Sequence, residues 1–157
     1  MSEDDTIDFN DVNLRKLIEA FRNPPKVKVG VLGNKNNRSS PTGKAMSNAT
    51  IGAKHEFGED GNPIRSFLRF PLTKYLQKYL NKAGIFSEKA LAQVVSSMSL
   101  KPWMVMIGGV GETVVDDGFQ TGGFGEWKPS NMAKKKVQMT LVETQQLRRS
   151  ITSRVDE

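Results

Sequence analysis

The sequence predicts an α+β fold, and three observations carry that reading. KVKVGVLG alternates Val27, Val29 and Val31 with Lys26, Lys28 and Gly30, the period-two pattern of a half-buried strand. Ser150 to Val155 reads as a second strand near the other end of the chain. Between them lie segments whose apolar residues recur at helical spacing, FPLTKYLQKYLNKAG being the clearest. At 157 residues the chain is expected to form a single domain, residues 11–157, behind an acidic flexible leader, residues 1–10.

Taken in order, the leader carries its charge unevenly. Residues 1–11 hold Glu3, Asp4, Asp5, Asp8 and Asp11 and no Lys or Arg, a net of −5; with +6 overall, the rest of the chain carries +11. A basic surface of that size meets either nucleic acid or the acidic face of a protein partner, and the leader itself is suited to docking on a neighbour's basic face. Being acidic, the leader is not a signal peptide, and no apolar run approaches the ~18 residues of a membrane span. With no cysteine, disulfides and thiolate metal sites are excluded, which fits a reducing cytoplasm.

DVNLRKLIEAFRN places Leu14, Leu17, Ile18 and Phe21 on one helical stripe, stopped by Pro24-Pro25. The strand at 26–31 follows. From Gly33 to Ser47 there is no apolar period, and the reading is a long mobile loop, an arm carrying Lys35, Arg38 and Lys44 or a plain surface loop. Ser47 or Asn48 is placed to cap a short helix through Ile51 and His55. In FPLTKYLQKYLNKAG, Leu72, Tyr75, Leu76, Tyr79 and Leu80 share a face and Gly84 ends the helix. A further helix starts at Ser87, with Leu91, Val94, Val95 and Met98 as its stripe, and Pro102 marks a boundary.

WMVMIGGVGETVVDDG fits two descriptions. Trp103, Met106, Ile107, Val110 and Val114 suit a helix, while Gly108-Gly109 suits a hairpin turn. Three glycines inside a helix cost about 1 kcal/mol each against alanine unless close packing uses their missing side chains. GFQTGGFG (Gly118 to Gly125) reads as a flexible loop, and 143–149 as helical before the last strand.

The stretch that organises the chain is GAKHEFGEDGNPIRSFLR, Gly52 to Arg69. Gly58 and Gly61 supply backbone freedom and Pro63 fixes φ. Arg65 and Arg69 offer forks for carboxylates, with Glu56 and Glu59 nearest. On local chemistry alone this is a stiff loop pinned by a surface salt bridge worth under about 1 kcal/mol.

The same residues resemble a signature of small virion proteins of tailed bacteriophages, the virion-morphogenesis, tail-completion, tail-terminator or neck proteins. Glu56, Phe57, Gly58, Pro63, Arg65, Phe67, Leu68 and Arg69 carry the match, with Asn62-Pro63-Ile64 where I-P-x is usual and Ser66 where a second proline is common. A second segment supports it. Trp127, Pro129, Ser130 and Asn131, then Lys135 or Lys136, precede LVETQQLRRSIT, in which Leu141, Thr144, Gln146, Leu147, Arg148, Ser150, Ile151 and Thr152 follow the family order. Glu143 replaces the usual Asp, and Gln145 the usual Gly, which argues against a tight φ > 0 turn there. The two halves stand in the reverse of the order common among related phage proteins. The resemblance spans roughly residues 26–155.

The resemblance favours the helix over the hairpin at 103–118. It also implies a small curved, mainly antiparallel sheet packed with helices, in a closed ring of about six copies joined head-to-tail. The implied function is structural: a ring at the neck or head-proximal tail end, completing the tail or joining it to the head. Implied partners are further copies and other neck, connector, tail-tube or sheath proteins, with non-specific contact to packaged DNA and none to membranes. The implied location is the virion, assembled in the host cytoplasm. Glu56, Phe57, Arg65 and Phe67 are expected to hold the organising loop against the sheet, with Arg65 and Arg69 near a subunit contact, so that Arg65→Ala leaves the subunit folded but blocks joining.

Enzyme chemistry finds little footing. His55 is the sole histidine, and His55-Glu56 lacks the second His of a zinc helix. Asp116-Asp117 and Glu59-Asp60 read as solvated charge rather than a catalytic dyad. GGVGET lacks the ending of a phosphate loop. No catalytic, metal or cofactor site is expected. The alternative is a basic nucleic-acid-binding module, which needs aromatics interleaved with basic residues; Tyr75 and Tyr79 on an apolar stripe count against it.

Overall fold

The structure, a computed structural model, describes residues 11–37, 46–61, 63–127 and 145–156. Among them the elements run α1 (Asp11–Arg22), β1 (Lys26–Val31), α2 (Asn48–Phe57), α3 (Arg69–Lys82), α4 (Glu88–Ser97), α5 (Lys101–Gln120), α6 (Gln146–Arg149) and β2 (Ile151–Asp156), with 3-10 turns at Gly33–Asn36 and Glu59–Gly61. The class is α+β: β1 and β2 pair antiparallel, Lys26 opposite Asp156 and Val31 opposite Ile151, and helices pack on the sheet. The leader, Arg38, Lys44 and Thr144 lie outside the described residues.

Residues 101–120 form one helix, not a hairpin, and the glycines explain how. A Cβ on Gly108 would lie 2.7 Å from Ser153 Oγ and 3.4 Å from Val27 Cγ1, and one on Gly111 2.9 Å from Val29 Cγ2. Gly118 meets Pro71 of α3 in the same way, at 3.2 Å. These glycines share a face, so α5 lies almost directly on the sheet and on the start of α3, and packing offsets their low helix propensity. A Cβ on Gly109 would meet nothing within 4 Å. Gly111→Ala is therefore expected to cost about 1–3 kcal/mol through overpacking, while Gly109→Ala gains up to about 1 kcal/mol. Thermal melts of the two variants should shift in opposite directions.

The core centres on Phe67, Val115, Phe119 and Leu147, with Val29, Val31, Ile51, Leu68, Leu72, Trp127 and Ile151 packed around them. A second cluster joins Leu17 of α1 to Val94 of α4 and Leu100. Of the α1 stripe only Leu17 is buried; Leu14, Ile18 and Phe21 remain exposed. Helix ends follow local chemistry. Ser47 Oγ accepts from Thr50 N (3.1 Å) and Ser87 Oγ from Ala90 N (3.3 Å). Gly84, at φ +68°, closes α3, with Ile85 N donating back to Leu80 O.

Two loop expectations need correction. The segment after α5 is a hydrogen-bonded turn rather than a flexible loop: Gly122, Gly123, Phe124 and Gly125 all have positive φ (+65°, +69°, +57°, +86°). Gly123 N donates to Gly118 O, Gly125 N to Thr121 O and Trp127 N to Gly122 O. Only Phe124 bears the Cβ penalty of a left-handed residue, and its ring stacks on Tyr75 at 4.0 Å. A Cβ on Gly123 would fall within the indole of Trp127. Likewise Lys35, placed by sequence on a mobile arm, sits in a 3-10 turn tied to α2. Asn48 Nδ2 donates to Lys35 O (3.0 Å) and Asn37 O (3.1 Å), and Ala49 N donates to Asn36 Oδ1 (2.8 Å).

Candidate functional site

The organising stretch joins α2 to α3, and Glu56 is the joint. Helix α2 ends at Gly58, whose φ of +75° lets its N–H return to Lys54 O at 3.0 Å. Two residues earlier Glu56 points inward and is buried. Its carboxylate accepts from Leu68 N (3.0 Å), Arg69 N (3.1 Å) and Ser66 Oγ (2.6 Å). Ser66 Oγ in turn accepts from Phe70 N at 2.9 Å. The first N–H groups of a helix have no partner inside it and carry partial positive charge; here the end of one helix caps the start of the next. Ser66 is thus a working part of the cap.

Arg65 is turned inward as well, at 2% exposure. Its N–H donates to His55 O at 2.7 Å, and Nη1 lies 3.5 Å from His55 Nδ1. Burial lowers the guanidinium's pKa from its ordinary value. Expecting Arg65 at a subunit contact is therefore corrected: its side chain is enclosed by its own subunit. Arg65→Ala removes a core-sized group and is expected to destabilise the subunit itself. Phe57 also departs from its expected role. It is 59% exposed and faces away from the core, with the Arg69 guanidinium 5.9 Å from its ring centre. Ile64, 64% exposed, adds to this outward side. The Arg69 side chain is mostly exposed and its guanidinium stands 4.0 Å from the Glu56 carboxylate, so the anticipated surface salt bridge is a minor feature beside the cap.

Phe67 reaches the core as expected, and Leu68 and Trp127 pack around it, Trp127 edge-on to Phe119 at 5.6 Å. The second motif arrives beside them. Leu147 packs with Phe67, and a Cβ on Gly52 would touch both, at 3.4 Å and 2.9 Å. Ser150 is buried and its Oγ donates to Leu147 O at 2.6 Å. Gln145 adopts φ +55°, so the left-handed turn exists although glycine is absent, at a cost of about 1–2 kcal/mol. Arg148 makes a two-pronged bond to Asp116, through Nε to Oδ1 and Nη2 to Oδ2. That bond holds Asp116 below the usual carboxylate range and raises Arg148.

The two adjacent aspartates of α5 are thus not solvated charge. Asp117 accepts from Tyr79 Oη at 2.6 Å, which, with burial, pushes the phenol up to about 12. A raised acid favours the folded state below its unfolded pKa of about 10, and that contribution is lost as pH rises from about 10 towards 12. Ultraviolet titration should show one of the two tyrosines ionising late and Tyr79→Phe abolishing that step.

A polar cleft of about 300 Å³ lies between α5 and α6, lined by Gly109, Glu112, Thr113, Asp116, Arg148 and Ile151. Its charged groups are all engaged: Glu112 Oε1 accepts from Ser153 N and Oγ, both at 2.6 Å, and Asp116 pairs with Arg148 and Gln120. Among the described residues no three of His, Cys, Asp or Glu converge as metal ligands, and no helix is long and apolar enough to cross a membrane. Ser66, Asn48, Glu112, Asp116, Asp117 and Tyr79 were missed by sequence reasoning, their partners standing 10 to 41 residues away. Comparison with protein-family models, curated proteins and solved structures returns no match.

Proposed function

We propose that this chain is a structural virion protein of a tailed bacteriophage, a subunit of a ring at the neck or head-proximal tail end. One observation carries the reading. The two segments that resemble the phage family, Glu56 to Arg69 and Leu147 to Thr152, are far apart in sequence yet meet around Phe67 and Leu147. That convergence supports treating them as one unit rather than two chance matches. The inward residues of the unit hold the subunit together, while Phe57, Ile64 and Arg69 are left outward for a neighbouring copy. Heterologous contacts of this kind close into rings, here about six copies, placed in the virion against connector, tail-tube or sheath proteins. The reading assigns no catalysis and no cofactor.

Light scattering of the purified protein tests it, with electron-microscope images of the same sample. The expected result is a particle several times the 17.4 kDa of one chain, or co-purification with phage tails or connectors, together with weak, sequence-blind DNA binding. A strict monomer with sub-micromolar, sequence-selective DNA binding would overturn it in favour of a nucleic-acid-binding module.

A further inference from the structure

We propose that the outward face of α3 is a contact surface for the phosphate backbone of duplex DNA, used without regard to base sequence. Lys74, Lys78 and Lys82 recur every four residues and are all exposed, so they stand about 6 Å apart along the helix. The segment from Arg69 to Lys82 contains four cations and no acid. Among the described residues none of these lysines pairs with a carboxylate, whereas Arg22, Lys28, Arg148 and Arg154 each do. The carboxylates of α5, on which α3 packs, are already engaged, Asp117 by Tyr79 and Asp116 by Arg148.

Tyr75 and Tyr79 turn towards Phe124 and Asp117, and the rings that meet cations are phenylalanines. Arg69 lies over Phe57 at 5.9 Å and Lys74 over Phe70 at 5.5 Å. Phe70 meets Tyr75 edge-on at 6.0 Å, and Tyr75 stacks on Phe124. Each ring attracts the cation above it, which reduces the freedom that a long side chain loses on meeting a phosphate. Thr73, Gln77 and Asn81, each directly before one of the lysines, are exposed and add hydrogen-bonding groups of the kind that contact phosphate oxygens. The acidic leader of a second copy is the competing occupant. Its four acids would meet the same lysines, and a self-association readout separates that occupant from DNA.

The inference gives the sequence-blind DNA binding expected under the ring reading a place on the surface, and its geometry stands without the ring. The test uses the full chain and a random-sequence 20-base-pair duplex, with binding followed by fluorescence anisotropy across a salt series. The expected result for the combined variant Lys74→Gln, Lys78→Gln, Lys82→Gln is unchanged folding by circular dichroism. Its slope of log affinity against log salt should be shallower by about 2.7, from three lost phosphate contacts at about 0.9 each. Affinity and slope equal to those of the unaltered chain would overturn the proposal. So would a variant that loses self-association while binding DNA normally, since the face would then serve a second copy. Light scattering of the unaltered chain separates the two claims: a monomer whose DNA binding needs these lysines sinks the ring and keeps the contact surface.

Discussion

Phe67→Ala is expected to lower unfolding free energy by about 3–5 kcal/mol, the range for deleting a buried aromatic side chain. Phe67 lies between the two motifs: its ring is 5.4 Å from that of Phe119, it packs with Val115 and Leu147, and it fills the space above Gly52. Helices α2, α5 and α6 all border the cavity that alanine would leave, and none can close it without leaving the others. Total stabilities are about 5–15 kcal/mol, so this one change removes a large fraction. Urea unfolding should show an earlier midpoint with an unchanged slope. A midpoint shift worth under about 1 kcal/mol would place the core elsewhere.

Glu56→Ala is the second large effect, and its cause is polar. The carboxylate answers Leu68 N, Arg69 N and Ser66 Oγ at once. A buried donor left without a partner costs about 1–3 kcal/mol, and water entering the gap recovers part of the sum. The expected loss is about 3 kcal/mol, a fall in Tm of about 6–12 °C for a chain of this size. Glu56→Gln keeps the shape but turns a donor towards donors, so it should recover only part of the loss. Ser66→Ala, which removes one link, should cost about 1 kcal/mol. If Glu56→Ala melts within 2 °C or so of the parent chain, the cap is not what joins α2 to α3.

What the sequence made legible was local. The stripes of α3 and α4, the serine caps before α2 and α4, Gly84 after α3 and the alternation of β1 are all encoded within a few residues. Helix α5 was half legible: its periodicity fitted a helix, but the worth of Gly108 and Gly111 depends on Val27, Val29 and Ser153, which only the folded chain brings near. The left-handed turn at 122–125 looks floppy as a string of glycines, because its order comes from Trp127 and Tyr75 packing against it. Gln145 misled in the opposite sense. Its side chain disfavours φ > 0, yet Arg148 to Asp116 and Leu147 to Phe67 hold the position there. At the motif itself, side-chain directions were not legible. Nothing in E-F-G or P-x-R says that Phe57 turns out while Arg65 turns in.

The pairing of β1 with β2 also has a consequence for synthesis. Val31 lies opposite Ile151, and the 119 residues between those positions must be translated before the partner strand exists. At about 5–20 residues per second, β1 waits roughly 6–24 s with its hydrogen-bonding edge unpaired, and for much of that time its three valines lack α5 above them. Such an edge recruits other chains on a crowded ribosome. Lys26 and Lys28, alternating with those valines, place like charge on every copy of the waiting strand and so act as gatekeepers. In the finished sheet Lys28 reaches Asp156, so the charge that kept nascent chains apart ends as a clasp across the strand pair.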